Sequence, residues 1–335
     1  MKQPLWLRVI STAILLSASP LLQSASFTIQ HDNDLLVPSS RDQDYTAGLS
    51  LRYSNNHREA RLPIYSRLHD VAAGFIAEGY SSDNHYSIEA GLYGFTPEQR
   101  EGEGLNPNDR PFASLFYLSS SERWLDSNGR QSIDSRLTVG VLGLDIFADL
   151  QDGVHSLTGS RDLRGWDRQV SDGGEITARY ELSQQSLLRE SLGKYDLSWG
   201  KSASLGYITE ASLFVSGRYG SLVSPWWQHQ AQLNSYGESA ATSSAKGAES
   251  FWFWGAALKL RAYNAFLQGQ FRDSEIKFSS SELNHALIEG WLGYSHSLSE
   301  HHKVSFMLRA HTSEVRNGVA DRNVVWGGLV YSHSW

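Results

Sequence analysis

Apolar and polar residues alternate along many short segments of the chain. In 45–53 the apolar residues Tyr45, Leu49 and Tyr53 belong to one set of alternate positions, and Thr46 and Arg52 belong to the other. A period of two predicts a β-strand with one apolar face and one polar face. The same pattern is found in 256–262, 288–294 and 304–310, each time with a charged residue on the polar face. Thr46 is therefore predicted to share the polar, lumen-facing side of its strand with Arg52.

Segments of this kind are long enough to cross a membrane as strands, which need about 9–11 residues each. They predict an all-β fold, a transmembrane antiparallel β-barrel of about 12 strands. The candidate segments number one more than an even barrel allows, and the expected place for the surplus is between 174 and 218. They are 26–33, 45–54, 84–95, 112–124, 132–145, 174–185, 191–200, 204–218, 252–264, 265–278, 285–297, 303–315 and 323–335.

The two ends of the chain favour a membrane barrel over a soluble β-sandwich, which also alternates. Lys2 and Arg8 precede a short apolar stretch at 9–16, and small residues follow at 24–26. This order predicts a secretory signal peptide over 1–25, followed by one barrel domain over 26–335. At the other end, alternation over 324–335 stops on Trp335. Bacterial outer-membrane barrels end on such an aromatic residue, which the barrel-assembly machinery reads.

Composition agrees with this location. The chain has 11 Trp, 15 Tyr and no Cys, and aromatic girdles at both membrane interfaces require Trp and Tyr. The net charge of −7 offers no basic surface, so nucleic acid is not an expected partner. The predicted location is the outer membrane of a Gram-negative bacterium, with the protein a monomer surrounded by outer-membrane lipid.

Three segments do not follow the strand pattern. The small and polar stretch 237–249 is predicted to be a flexible extracellular loop. The run 31–34 (HDND) is either a set of oxygen ligands for a hard cation or a polar turn capped by its own Asx side chains. Apolar residues at helical spacing in 147–159 predict a short helix near the rim, on which His155 is either a general base or a surface histidine.

Several motifs together resemble the outer-membrane lipid A 3′-O-deacylase family, often called LpxR. The first two strands read FTIQHDND (27–34) and RDQDYTAGL (41–49). The family opens with an Asn-Asp pair and continues with an Asp-Tyr-Thr-x-Gly-Leu segment. Further matching motifs, in the family's order, are NDRPFA (108–113), VGVLG (139–143), QDGVHSLTG (151–159) and GWDRQ (165–169).

The resemblance implies a twelve-stranded barrel with an active site between the barrel wall and a helix near the rim. It implies calcium-dependent hydrolysis of the 3′-linked acyl ester of lipid A, the lipid part of lipopolysaccharide. By position, Asn33, Thr46 and His155 match catalytic residues of the family. Asp34 matches a calcium ligand, and the resemblance implies that a second carboxylate completes the cation site.

One position departs from the family's pattern. A member of the family carries a catalytic Glu six residues after the histidine, where this chain has Arg161. Asp162 is the favoured replacement, because a shift of one residue is easy where a helix frays. Asp152 and Asp149 are alternatives.

Two other functions remain possible from the sequence. A narrow porin would use the Arg and Lys residues on the lumen faces to line a pore. An inactive barrel of the same family, with a structural or binding role, would explain Arg161.

Overall fold

The computed structural model describes residues 25–37, 44–55, 63–76, 79–98, 106, 108–145, 165–231, 236–238 and 247–335. Within these ranges the chain forms twelve strands and two α-helices, α1 (Pro63–Ile76) and α2 (Ala265–Gln268). The strands are β1 (Ser26–Asn33), β2 (Asp44–Asn55), β3 (Tyr80–Thr96), β4 (Ala113–Asp126), β5 (Gln131–Leu142), β6 (Glu175–Ser191), β7 (Tyr195–Gly206), β8 (Ile208–Ser221), β9 (Ser250–Asn264), β10 (Ala286–Ser297), β11 (His302–His311) and β12 (Val324–Ser334).

The strands form one closed barrel in which each strand pairs antiparallel with its neighbours in sequence. β1 closes the barrel against β12, with Ser26 paired to Ser334 and Asn33 paired to Gly327. Closure leaves no strand edge unpaired, which a membrane interior requires. The predicted all-β barrel is confirmed. No helix in the described ranges is long and apolar enough to cross a membrane.

The two rims of the barrel differ in what they carry. At one rim the chain ends meet, where the Trp335 amide donates a hydrogen bond to the Ala25 carbonyl over 3.1 Å. We call this the terminal rim. The other, the opposite rim, is where β1 ends at Asn33 and β2 begins at Asp44. The predicted signal peptide lies at residues 1–25, of which 1–24 are outside the described residues.

The predicted alternation is confirmed along the middle of the wall. In β9 the side chains of Trp252, Trp254, Leu258 and Leu260 are exposed on the outer face. Lys259 and Arg261, on the other face, are buried in the lumen. Charged lumen residues come in pairs, as in Arg52–Glu89, Arg123–Asp134, Arg218–Asp196, Lys259–Glu289 and Arg309–Glu289. Pairing offsets the high cost of burying a charge.

The surplus strand of the sequence prediction is 265–278, and the expectation that it lay between 174 and 218 is wrong. Asn264 ends β9 because its side chain accepts a hydrogen bond from the Phe266 amide and caps α2. Gly269 then turns the chain with a φ of 70°. The apolar residues that suggested a strand, Leu267 and Phe278, are buried in a small cluster at the opposite rim.

The helix α1 was not predicted from the sequence. It lies in the connection between β2 and β3 at the terminal rim and packs against the outer wall. Its His69 is buried, with Nδ1 2.8 Å from the Ser135 hydroxyl of β5. Leu68, Val71 and Phe75 are exposed on the far side of the helix. The wall side of the helix therefore carries His69 together with Ala73, and its apolar residues on the far side are exposed beside Arg67 and Asp70.

The connection between β8 and β9 starts at the terminal rim, and its described residues enter the lumen. Residues 237 and 238 are buried there, so the prediction of a flexible extracellular loop at 237–249 is wrong for that end of the segment. We call its described lumen residues, 226–231 and 236–238, the plug. Near the terminal rim, Trp226 donates a hydrogen bond to the Gly129 carbonyl. Glu238 is fully buried and accepts hydrogen bonds from Arg179 of β6 and Tyr93 of β3. Glu249 is back at the terminal rim, bonded to the amides of residues 223 and 224, and residues 239–246 lie outside the described ranges.

Candidate active site at the opposite rim

The Asn-Asp pair forms a turn at the end of β1. Asn33 Oδ1 accepts a hydrogen bond from the Leu35 amide over 2.6 Å and so caps the 3₁₀ turn Asp34–Leu36. Asx capping, one of the two sequence interpretations, is therefore present. It leaves the second lone pair of the Asn33 amide oxygen available. Asp34 is buried, with only 1% of its surface exposed.

Thr46 lies on the outer side of the wall, so the prediction that it faces the lumen is wrong. A β-bulge occurs between Tyr45 and Ala47, and one extra residue in a strand reverses the alternation. Tyr45 turns into the lumen, where its hydroxyl donates to Asp32. Thr46 instead approaches Thr96, with their hydroxyl oxygens 2.5 Å apart.

Asn33 and Thr46 are brought close together by the pairing of β1 with β2. Asn33 is the register partner of Ala47, the residue that follows Thr46. Paired residues have Cβ atoms about 4.5–5.5 Å apart. Sequence reasoning missed Thr96, which ends β3 on a face that otherwise holds Leu92 and other apolar residues. A polar residue at that position was the available signal.

Two of the motifs, NDRPFA and GWDRQ, meet on the outer wall beside this pair. The rings of Phe112 and Trp166 lie 5.0 Å apart and pack over Ala47 and Leu92. Gly165 has a φ of 126°, and a Cβ there would lie 2.7 Å from the Phe112 ring. Glycine is therefore needed where the chain returns to the wall.

The same motifs hold both ends of the segment 146–164. Gln169 accepts a hydrogen bond from the Ser114 hydroxyl over 2.7 Å and donates one to Asp145 over 3.2 Å. The Val170 amide donates to the Phe112 carbonyl over 2.8 Å. Asp145 and Gly165, the described residues on either side of the segment, are thus tied to the same part of the wall.

The residues predicted to complete the site lie outside the described ranges. His155, Asp162 and the alternatives Asp149 and Asp152 all belong to 146–164, as does the predicted helix. Their positions remain predictions.

A network of charges supports the rim next to this site. Arg322 pairs with Asp44 and Asp109, each over 2.8 Å, and Arg110 pairs with Glu314. Burial acts to raise the pKa of Glu314, but the charges of Arg110 and Arg261 outweigh it and lower that pKa to about 2. Burial acts to lower the pKa of Arg322, but hydrogen bonding and charge from Asp44 raise it. These residues keep the loops beside the site folded against the barrel.

The donors around the turn are all oxygens, the ligands that calcium prefers. They comprise the Asp34 carboxylate, the Asn33 amide oxygen and the Thr46 hydroxyl. The described residues contain no cluster of three or more His, Asp or Glu side chains that would hold a metal. The oxygen donors of the described residues therefore suit a hard cation. At least one more carboxylate is needed to complete a calcium site.

The sequence matches the family model described as outer membrane protein LpxR over residues 5–335. The chain belongs to the LpxR family of outer-membrane proteins. Its location in the outer membrane follows from the family and from the barrel. No curated protein matches the sequence.

Among solved structures, the chain is similar to LpxR from Salmonella typhimurium, with a TM-score of 0.69 at 16% identity. The match covers 92% of this chain and 100% of that one, and it confirms the shared barrel fold. An outer membrane channel from Pseudomonas putida F1 follows with a TM-score of 0.45 at 9% identity, covering 95% of this chain and 97% of that one. The KdgM porin matches with a TM-score of 0.38 at 8% identity over 92% of this chain and 99% of that one.

Proposed function

We propose that the protein is a lipid A deacylase that hydrolyses the 3′-linked acyl ester from the outer side of its own wall. The observation that carries the proposal is the packing of Phe112 and Trp166 over Ala47, beside Thr46. This contact ties Trp166, just after the segment 146–164 to which His155 belongs, to the wall that carries Asn33 and Thr46. Asn33 and Thr46, which match the family's catalytic set, therefore lie beside the residues that flank this segment, and this proximity supports the proposal.

The location on the outer wall suits a lipid substrate. The ester bonds of lipid A lie in the leaflet, near the interface between head group and acyl chains. A site on the outer wall at the rim receives such an ester without moving the chain out of lipid. A site in the lumen would have no such access, because the plug and paired side chains occupy the lumen in the part of the chain that the structure describes.

In the proposed mechanism His155 acts as a general base that takes a proton from the attacking water. A histidine suits this role because its ordinary pKa lies near neutrality. Asn33 and Thr46 hydrogen bond to the substrate and orient its ester. Asp34 and Asp162 would hold a calcium ion, which when bound polarises a carbonyl group.

The direct test is a mass spectrum of lipid A from cells with and without the protein. Wild type should remove the mass of one ester-linked acyl chain, and His155→Ala should lower the rate by about 10²–10⁴-fold. His296→Ala is the matched control, because His296 bonds to Ser250 near the terminal rim and should not affect the rate. Heat-modifiable gel mobility shows whether each variant is folded.

The calcium ion and the carboxylate that replaces the family's glutamate are tested in separate experiments. A chelator should abolish deacylation and added calcium should restore it, whereas full activity in excess chelator would exclude the cation. Asp162→Asn should lose activity if Asp162 is the second carboxylate; if it does not, Asp152→Asn and Asp149→Asn follow. Should wild type release no acyl chain, the inactive-barrel alternative replaces the deacylase.

A further inference from the structure

A lysine occupies an unusual position on the outer face of β7. Lys201 lies at the middle of this strand and is exposed. The residues before and after it on the same face are apolar: Leu197, Trp199, Ala203 and Leu205. Trp199 and Leu205 are 44% and 73% exposed, which indicates that this face contacts lipid.

Basic residues in the middle of other strands behave differently. Arg123, Arg179 and Lys259 point into the lumen, and each pairs with a carboxylate at 2.7–2.9 Å. Across the described ranges, the Lys201 ammonium group forms no ion pair and no hydrogen bond. A lysine facing the middle of a bilayer is costly, so an ionisable residue there points to a function and to an anionic partner.

The surface around Lys201 is concave. A cavity of about 560 Å³ lies on the outer wall across β5 to β9, and Lys201 lines it. Small residues such as Ala203 and Ala211 form part of the lining, and between larger side chains they leave room for a ligand. The larger apolar residues are Ile133, Leu182, Leu213, Leu258 and Leu260. The volume is within the range of ligand pockets, about 300–1,000 Å³.

We propose that this groove binds a free fatty acid, with its carboxylate at Lys201 and its chain along the leucines. A single ammonium group matches a single carboxylate, and the attraction between them is strong where water is excluded. A carboxylate is a small head group that can follow its chain below the interface, whereas a phospholipid phosphate is held there by the glycerol and the rest of its head group. The groove lies on β7, on the far side of the barrel from Asn33 and Thr46, and does not depend on the deacylase proposal.

The test uses the fluorescent polyene fatty acid cis-parinaric acid and the intact barrel in phosphatidylcholine nanodiscs. Energy transfer from tryptophan, with Trp199 next to the site, reports binding. Lys201→Met should weaken binding by about thirtyfold or more, as expected for losing one partner of a desolvated charge pair. Lys201→Arg keeps the charge and should retain most of the affinity.

Three controls make the result decisive. Lys194→Met removes an equal charge from the turn before β7, where Lys194 is exposed, and should leave affinity unchanged. Parinaric acid methyl ester should bind wild type and Lys201→Met equally and weakly. Ala211→Phe fills the groove without changing charge and should also abolish tight binding. Equal affinity of wild type and Lys201→Met would overturn the proposal, as would displacement of the probe by phosphatidylglycerol more readily than by palmitate.

Discussion

Replacing Glu238 by alanine removes a carboxylate that holds the plug to three strands and a turn. Glu238 is fully buried and accepts hydrogen bonds from Arg179 over 2.9 Å, Tyr207 over 2.5 Å, and Tyr93 and Thr138 over 3.3 Å each. Without the carboxylate, Arg179 keeps its charge in the lumen, and among the described residues only Glu181, at 3.3 Å, still forms an ion pair with it. Breaking a buried pair by removing one partner costs about 3–5 kcal/mol.

The expected result is therefore a decrease of about 3–5 kcal/mol in the free energy of unfolding. Urea titration of the barrel in phosphatidylcholine vesicles, followed by tryptophan fluorescence, measures it. Glu190→Ala is the control: Glu190 is 3.9 Å from Arg130, with 44% and 51% of the two side chains exposed. An exposed pair of this kind contributes about 0–1 kcal/mol. Equal effects of the two substitutions would refute the assignment of Glu238 as the anchor of the plug.

Three further outcomes are expected. His69→Ala should lower the free energy of unfolding by about 1 kcal/mol, because the hydrogen bond between the ring and Ser135 is lost. Detachment of helix α1 from the wall would appear as new protease cleavage. No change in stability or in cleavage would contradict the contact. Gly165→Ala should cost about 1–3 kcal/mol in stability and reduce deacylation, since a φ of 126° strains any side chain and its Cβ meets Phe112; unchanged values would contradict the packing. Because the pKa of Glu314 is lowered, its contribution to stability is complete above the ordinary value near 4.5 and is lost as pH falls through about 2. Glu314→Gln should make the free energy of unfolding less dependent on pH in that window. An unchanged pH dependence would count against the ion pair.

The number and order of strands followed from the sequence because the wall of a membrane barrel separates two opposite environments. Each residue must suit lipid or lumen, so the pattern repeats along every strand, as it does in β9. The exception at 265–278 had apolar residues too, but Asn264 and Gly269 set the backbone there, and a capping bond is not visible in hydrophobic periodicity. The Asn264 cap and the Gly269 turn therefore determined the backbone there, and the hydrophobic pattern did not.

The prediction that Thr46 faces the lumen was wrong for a different reason. The alternation of 45–53 appears regular in the sequence, and nothing in it marks a β-bulge. The bulge becomes visible only in the pairing with β3, where Tyr45 joins Phe95 and Ala47 joins Gly94. A single unpaired residue moved Thr46 to the outer side. The plug was not predicted for a related reason: its anchors lie at least 31 residues away in sequence, as in the 59-residue separation of Arg179 and Glu238.

These two surprises are connected through function. A barrel with an open lumen can place a site inside and reach it through water, but a barrel closed by its own plug has only its outer wall and rims in contact with substrates. The bulge in β2 turns the Thr46 hydroxyl to the outer face of the wall. Phe112 and Trp166 pack on the same face, over Ala47. Glu238 and Arg309 join the described plug residues to the strands through hydrogen bonds. Under the proposed deacylase function, an outward-facing hydroxyl and a filled lumen both favour a site on the outer wall, because the substrate stays in the membrane.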